Sequence, residues 1–383
     1  MSRKHSEKLT PELRFPGFSG EWKEKQLGEI CSTFKSGIGI TSEQITEEGT
    51  YPVFGGNGLR GYTDEYNHEG FYVLIGRQGA LCGCINRTFG KAYISEHAIA
   101  VQANAEACTE WLAQKLDYFQ LNRLSESSAQ PGLAVNKLLK VKLVVPSADE
   151  QQKIASFLSA VDKRIGQLRR KKELLEAYKK GVMQKLFSQE LRFQDDQGHP
   201  FPDWEEKRLG EIFDQRTENS YTDLDLLSVT LKKGVIRQVD VDKIDNSNSD
   251  KSKYKRVLPD DIAYNSMRMW QGASGVSQYE GIVSPAYTVI IPKSETHSKY
   301  FGYFFKMREV VFIFQRHSQG LTSDTWNLKY PMLAPIKFKI PCKLEQQKIA
   351  DFLTSLDQKI EATQTQLTQT ETFKKGLLQQ MFV

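Results

Sequence analysis

Ten positions between Ile154 and Leu186 recur in alternating steps of four and three: Ile154, Leu158, Val161, Ile165, Leu168, Lys172, Leu175, Lys179, Val182 and Leu186. That alternation keeps a side-chain stripe on one face of a helix, so it predicts a helix from about Ala148 to Phe187 with a coiled-coil seam. Pro146 precedes it, and Ser147 with Glu150 three residues on reads as a capping box. A second stripe, Ile349, Leu353, Leu356, Ile360, Thr363, Leu367, Thr370, Lys374, Leu377 and Met381, predicts a helix from about Leu344 to Val383. Cys342 stands where Ser147 stood, which weakens the second cap. The lysines and threonines in these seams cost stability but can fix register. Each helix of about 40 residues would be about 60 Å long.

The two helices are copies. Glu150-Gln151-Gln152-Lys153-Ile154-Ala155 returns as Glu345-Gln346-Gln347-Lys348-Ile349-Ala350, 195 residues on. Upstream, Glu12-Leu13-Arg14-Phe15, Trp22 and Leu27-Gly28-Glu29-Ile30 return as Glu190-Leu191-Arg192-Phe193, Trp204 and Leu209-Gly210-Glu211-Ile212. A period near half the chain is too long for a solenoid. It implies two copies of one unit about a pseudo-two-fold axis, and helices related by such an axis run antiparallel. Two separate amphipathic helices, each packed on its own domain, are the plainer alternative. The expected organisation is a first domain at 1–146, a helix at 147–188, a second domain at 189–341 and a helix at 342–383.

Between the helices the chain reads as mixed α/β. β-rich runs lie at Phe71–Ile75, Ala98–Val101, Val141–Val145, Tyr287–Ile291 and Ile336–Ile340, with short helices over Glu110–Leu124 and Ser298–Phe314. The middles share an echo: Arg77 with Gly83 against Arg268 with Gly272, Ser95 against Ser284, and Gly132-Leu133 against Gly320-Leu321. The fold class is therefore α/β: two mixed α/β domains joined by two long antiparallel coiled-coil helices.

Composition narrows the class. The chain has 383 residues, 39% apolar and 26% charged, enough for two domains with their own cores. A net charge of +5 permits nucleic acid as a partner without requiring it. Five cysteines, Cys31, Cys82, Cys84, Cys108 and Cys342, have no framework spacing and suit free thiols in a reducing cytoplasm. No apolar run reaches the roughly 20 residues of a membrane helix, and Met1 to Leu13 is polar, so no membrane role is expected.

Catalytic signatures are missing. There is no Gly-x-Gly-x-x-Gly after a predicted strand, no Walker loop and no Asn/Asp-Pro-Pro-Tyr stretch of an amino-methyltransferase. Gly55-Gly56-Asn57-Gly58 reads as a tight turn, Cys82 and Cys84 as strand cysteines on one face, and His97 as a structural residue in an apolar strand. No metal site is expected.

Basic and aromatic residues set among turns carry the binding chemistry. Lys251, Lys253, Lys255 and Arg256 form the densest basic run and are candidate phosphate contacts, with a solvated loop as the alternative. Arg77 with Gln78, and Arg268 with Gln271, sit beside glycines; Arg suits guanine O6 and N7, and Gln suits adenine N6 and N7. Asn57, Arg60, Tyr62, Tyr264, Asn265 and Trp270 are neighbouring candidates. For each of these a core or turn role accounts for the residue equally well.

Taken together, the duplicated Trp-x4-Leu-Gly-Glu-Ile segment, the Pro-then-Glu-Gln-Gln-Lys-Ile-Ala helix start and the divergent middles resemble the DNA-specificity subunit of type I restriction-modification systems. The resemblance covers nearly the whole chain. It implies a non-catalytic subunit with two target-recognition domains, each reading one block of a split, asymmetric site on double-stranded DNA. It also implies repeated helices that space the readers and dock partners: two methyltransferase subunits that hold S-adenosylmethionine and methylate adenine N6, and restriction/motor subunits. Gln151, Gln152, Gln346 and Gln347, at the repeated helix starts, are the candidate docking residues, with capping and solvation as the duller account. A two-fold protein places equivalent readers about 34 Å apart, a separation that a helix pair of this length can hold. A coiled-coil scaffold carrying two protein- or glycan-binding modules is the rival reading.

Overall fold

A computed structural model describes residues 10–125, 131–231, 233–241, 247–322 and 325–383; most of the polar start lies outside them. The chain forms two compact units, one of Met1–Lys171 with Thr363–Val383 and one of Lys172–Ala362. Both long helices form where their stripes place them, over Ala148–Phe187 and Lys343–Met381, and each contributes to both units.

In the first unit, strands β1 (Lys23–Gln26), β2 (Cys31–Ser36), β3 (Tyr51–Gly55), β4 (Gly58–Thr63), β5 (His68–Glu69), β6 (Tyr72–Gly76), β7 (Ile85–Thr88), β8 (Lys91–Ile94), β9 (Ala98–Ala103) and β10 (Lys142–Val145) form three sheets. They are an antiparallel sheet ordered β2-β9-β6-β7, a sheet ordered β4-β3-β8-β5, and the ribbon β1-β10. The helix Thr109–Phe119 buries Trp111, Leu112 and Leu116 in the core that contains Val73, Ile75 and Ile99.

The second unit repeats the frame with β11 (Glu205–Arg208), β12 (Phe213–Gln215), β13 (Leu227–Thr230), β14 (Gly234–Arg237), β15 (Lys255–Val257), β16 (Ile262–Asn265), β17 (Ser274–Val276), β18 (Gly281–Val283), β19 (Tyr287–Pro292) and β20 (Lys337–Ile340). Its main sheet is ordered β12-β19-β16-β17 and its ribbon is β11-β20, matching the first unit element for element. The smaller sheet is not repeated; the pairs β13-β14 and β15-β18 occupy that stretch of chain.

The duplicated motifs are joints of this frame. Leu13 donates its backbone N–H to Gln380 O (2.9 Å), as Leu191 donates to Lys185 O (3.0 Å), satisfying a carbonyl in the last turn of a long helix. Arg14 donates twice to the Glu150 carboxylate (2.8 and 2.7 Å), and the Trp22 indole N–H adds a third bond (3.2 Å). Arg192 and Trp204 grip Glu345 in the same way, at 3.1, 2.9 and 3.1 Å. Phe15 packs edge-on against Phe157 and Phe193 against Phe352. Leu27 and Ile30, like Leu209 and Ile212, are buried, and the glutamates Glu29 and Glu211 accept the Gln26 and Arg208 backbone N–H groups. Gly28 and Gly210 sit where a Cβ would press tightly on Leu139 (3.3 Å) or Ala334 (3.0 Å).

The capping box is therefore only half formed. Ser147 Oγ accepts the Glu150 N–H at 3.4 Å, but the Glu150 carboxylate turns to Arg14 and Trp22. The same tether holds Glu345, so Cys342 in place of Ser147 leaves the second helix start anchored.

The seams pack as their spacing predicts, with Ile154, Leu158, Ile165, Leu168, Leu186, Ile349, Leu353 and Leu367 buried. The seam lysines Lys179 and Lys374 are met by ion pairs across the helices. In the first unit Lys374 bonds Asp162 (2.7 Å) and Arg169 bonds Glu371 (2.5 Å), so the chains run antiparallel there. In the second unit Lys179 bonds Asp357 (2.5 Å), the repeat-equivalent of the Asp162–Lys374 pair with the roles exchanged between the helices.

Two expected short helices are broken. Gln120, in the left-handed region at φ 56°, ends Thr109–Phe119 before a turn at Leu121–Leu124. Ser298–Phe304 stops and Arg308–His317 begins afresh, with Lys306 in the break.

Candidate nucleic-acid interface

Each main sheet carries a loop of equal length on its third strand. In the first unit Gly76 N–H donates to Cys84 O (2.9 Å), and in the second Asn265 N–H donates to Ala273 O (2.9 Å). Gly83 and Gly272 occupy equivalent places at φ +86° and +81°. Leu133 N–H bonds Arg77 O (3.0 Å) and Leu328 N–H bonds Ser266 O (2.9 Å), so both loops rest on the segment before the last strand. This register corrects the sequence echo. Arg77 matches Ser266 rather than Arg268, and Leu133 matches buried Leu328 rather than Leu321, which is fully exposed. The Ser95 and Ser284 match holds: each carbonyl accepts the N–H three residues on, from Ala98 and Tyr287.

In the first unit, Gly56, Asn57, Arg60, Gln78, Ala80, Leu81 and His97 line one concavity of about 360 Å³. The β3–β4 turn and the loop touch through backbone: a Cβ on Gly76 would lie 2.6 Å from Gly56 O. Asn57, Arg60 and Gln78 are exposed there, while Arg77 sits half-buried at the loop's foot and does not line the concavity. His97 is not inside a strand; it is exposed on the turn before β9, 3.2 Å from Glu96. Cys82 and Cys84 lie in the loop, with Cys82 buried against Arg77 O and Cys84 exposed.

In the second unit Arg268 and Gln271 are exposed on the loop, and the Arg268 side chain has no hydrogen bond or ion pair among the described residues. Trp270 donates its indole N–H to Met267 O (3.0 Å) and packs edge-on with Trp326, ring centres 5.3 Å apart. Trp326 had no sequence signal, because 55 residues separate it from Trp270 in the chain. Tyr264 is fully buried and is not a contact, and Asn265 Oδ1 accepts the Met267 N–H (3.0 Å) within the loop. Tyr62 is half-buried in β4.

The basic run is largely engaged within the fold, which corrects its reading as a row of phosphate contacts. Arg256 bonds Glu280 (2.6 Å) and Glu218 (2.9 Å) and lies over the Tyr221 ring; the two carboxylates, Glu280 first, raise its affinity for its proton. Glu218 also bonds Arg216, which is held by buried Asp261. Lys255 donates to Tyr287 O (2.5 Å), and burial, with Lys329 nearby, pulls its ammonium below the usual lysine range. Lys251 donates to Asn248 O (2.5 Å) and lies over Tyr254. Lys253 is exposed, with no hydrogen bond or ion pair among the described residues.

The candidate docking glutamines divide. Gln151 is buried; its Oε1 accepts the Cys108 N–H (2.8 Å) and its Nε2 donates to Pro146 O and Glu106 O. Gln346 does the same with His297 N–H, Pro341 O and Glu295 O. These two tie the long-helix start to the first turn of a short helix and present nothing to a partner. Gln152 faces solvent, and Gln347, partly exposed, bonds Asp351 one helical turn on. No group of three or more His, Cys, Asp or Glu among the described residues could hold a metal.

A family model for the type I restriction modification DNA specificity domain matches residues 19–177 and 202–372. The chain is 44% identical over 154 residues to the type I restriction enzyme EcoprrI specificity subunit of Escherichia coli, covering 39% of this chain and 38% of that one. It is 28% identical over 268 residues to the MjaVIII specificity subunit of Methanocaldococcus jannaschii, covering 62% and 60%. The matches thus span between 38% and 60% of these relatives. The S subunit structure from M. genitalium superposes with a TM-score of 0.69 at 18% identity, over 98% of this chain and 99% of that one, and so shares the fold.

Proposed function

Because the chain belongs to the type I restriction modification DNA specificity family, we propose that it is the non-catalytic, sequence-reading subunit of a type I restriction-modification complex. The observation that carries this is the pairing of one repeated frame with two equal-length loops whose exposed side chains differ: Gln78 beside Asn57 and Arg60 in the first unit, Arg268 and Gln271 in the second. Planar amide and guanidinium groups on a fixed loop suit bidentate bonding to base edges, each good pair contributing about 1–3 kcal/mol of discrimination. Unlike loops read unlike sequences, so the site is two different short blocks with an unread gap. Lys253 and the other solvent-facing cations supply the phosphate attraction, which is salt-dependent and indifferent to sequence.

The chain's part in methylation is to place the target adenine. Methyl transfer belongs to partner subunits that bring S-adenosylmethionine, and a duplicated frame offers two equivalent faces, so two methyltransferase copies are expected, with restriction/motor subunits joining them. Gln152 and Gln347 are the glutamines left to serve such faces. No helix among the described residues is long and apolar enough to cross a membrane, which suits a cytoplasmic complex. The test is reconstitution with the methyltransferase subunit, a labelled methyl donor and native mass measurement. Two partner copies per chain and label on adenine are expected. Label transfer by this chain alone, or a one-to-one complex active on both blocks, would overturn the proposal.

A further inference from the structure

The break between Ser298–Phe304 and Arg308–His317 spans residues 305–307, which include no glycine or proline. At its centre the Lys306 amine donates to three backbone carbonyls: Gly272 O (2.5 Å), Ser274 O (2.7 Å) and Leu231 O (3.2 Å). Gly272 closes the Arg268 loop, Ser274 opens β17, and Leu231 lies in the turn from β13 to β14. One ammonium therefore joins the two chain reversals. They also meet directly, since a Cβ on Gly275 would lie 2.6 Å from the Gly234 Cα. Burial pulls the Lys306 ammonium down to about 8, so at neutral pH it is still charged, and the three carbonyls replace only part of its lost water. The first unit builds the same loop without such a lysine: its Gly83 sits directly on the backbone of the turn at Leu121–Leu124, where a Cβ would lie 2.5 Å from Asn122 N.

We propose that Lys306 is a positioning residue that sets the sequence preference of the second unit by holding the Arg268 loop and the β13–β14 turn in one register. This rests on the reading of that loop as a base reader. The amine faces carbonyls, so its effect on DNA runs through Arg268 and Gln271. A base-edge bond is lost when its donor moves by a fraction of an ångström, whereas phosphate attraction tolerates such a shift.

The experiment uses the full chain in complex with its methyltransferase partner, binding a pool of random duplexes that is sequenced after selection, at several salt concentrations. Lys306→Met keeps the stem and removes the amine; Lys306→Arg keeps donors. For Lys306→Met the expected result is a loss of about tenfold or more in base discrimination at one block, wild-type discrimination at the other, and an unchanged salt slope. Lys306→Arg should restore part of the lost discrimination. A Lys306→Met profile identical to wild type would overturn the proposal. So would equal loss at both blocks, or a flatter salt slope, which marks a phosphate contact. A wild-type complex with no sequence preference would overturn the DNA-reading premise instead.

Discussion

Removing the Glu150 carboxylate should release the start of the first long helix. Glu150 is 2% exposed and receives two bonds from Arg14, whose side chain is 17% exposed, and one from buried Trp22. In Glu150→Ala the indole N–H is orphaned, a loss of about 1–2 kcal/mol, and a charge-assisted bidentate pair disappears, about 1.5–3 kcal/mol. Arg14 keeps its bond to Gly20 O (2.7 Å) and can reach water, so the sum stays at about 3 kcal/mol, short of a fully buried broken pair. A double-mutant cycle of Arg14→Ala with Glu150→Ala isolates the pair; a coupling of about 1.5–3 kcal/mol is expected, against roughly 0.2–1 for an exposed pair. Urea unfolding gives the energies, and hydrogen exchange of the amides around Ile154 and Leu158 locates them. Arg192 and Glu345 should give the same coupling in the second unit. Coupling below about 0.5 kcal/mol in both units would refute the claim that the repeated Arg, Trp and Glu form a structural joint.

Other consequences are as direct. Leu168→Asp puts a charge beside Ile165 and Leu367 and should cost the first unit about 3 kcal/mol or more, read by urea unfolding. Lys253→Ala should weaken binding to all duplexes alike and flatten the salt slope by about one unit, whereas Arg256→Ala, whose partners are Glu280 and Glu218, should lower the stability of the second unit and leave the slope as it was. Because the Lys306 ammonium lies near 8 when folded and near the ordinary 10.5 when unfolded, the unfolded chain binds more protons in that window. The stability of wild type relative to Lys306→Met should therefore rise as pH climbs from about 8 towards 10, measured by denaturant titration.

What the sequence revealed was periodic or duplicated. The four-three stripe fixed both long helices nearly to the residue, and repetition exposed the joints before their contacts were known. What it hid was long-range. The Glu150 carboxylate reads as a local cap because nothing near it shows that Arg14, 136 residues away, takes it. Lys255 and Arg256 read as free cations because the groups that hold them, Tyr287, Glu280 and Glu218, lie between 24 and 38 residues off. The pause at Lys306 places its amine against carbonyls more than 30 residues upstream, which no local pattern shows. Identity pairs Arg77 with Arg268, whereas loop length sets the register and gives Ser266 the place equivalent to Arg77.

The central claim is that one frame presents two independent readers. It is tested by selecting random duplexes with the wild-type complex, with Asn57→Ala/Arg60→Ala and with Arg268→Ala, and sequencing each bound pool. The wild type should return two unlike blocks at a fixed gap. Each variant should blur a different block, Arg268→Ala by about 1–3 kcal/mol, and leave the other intact. A single block, two identical blocks, or loss of both blocks from either variant would contradict the account.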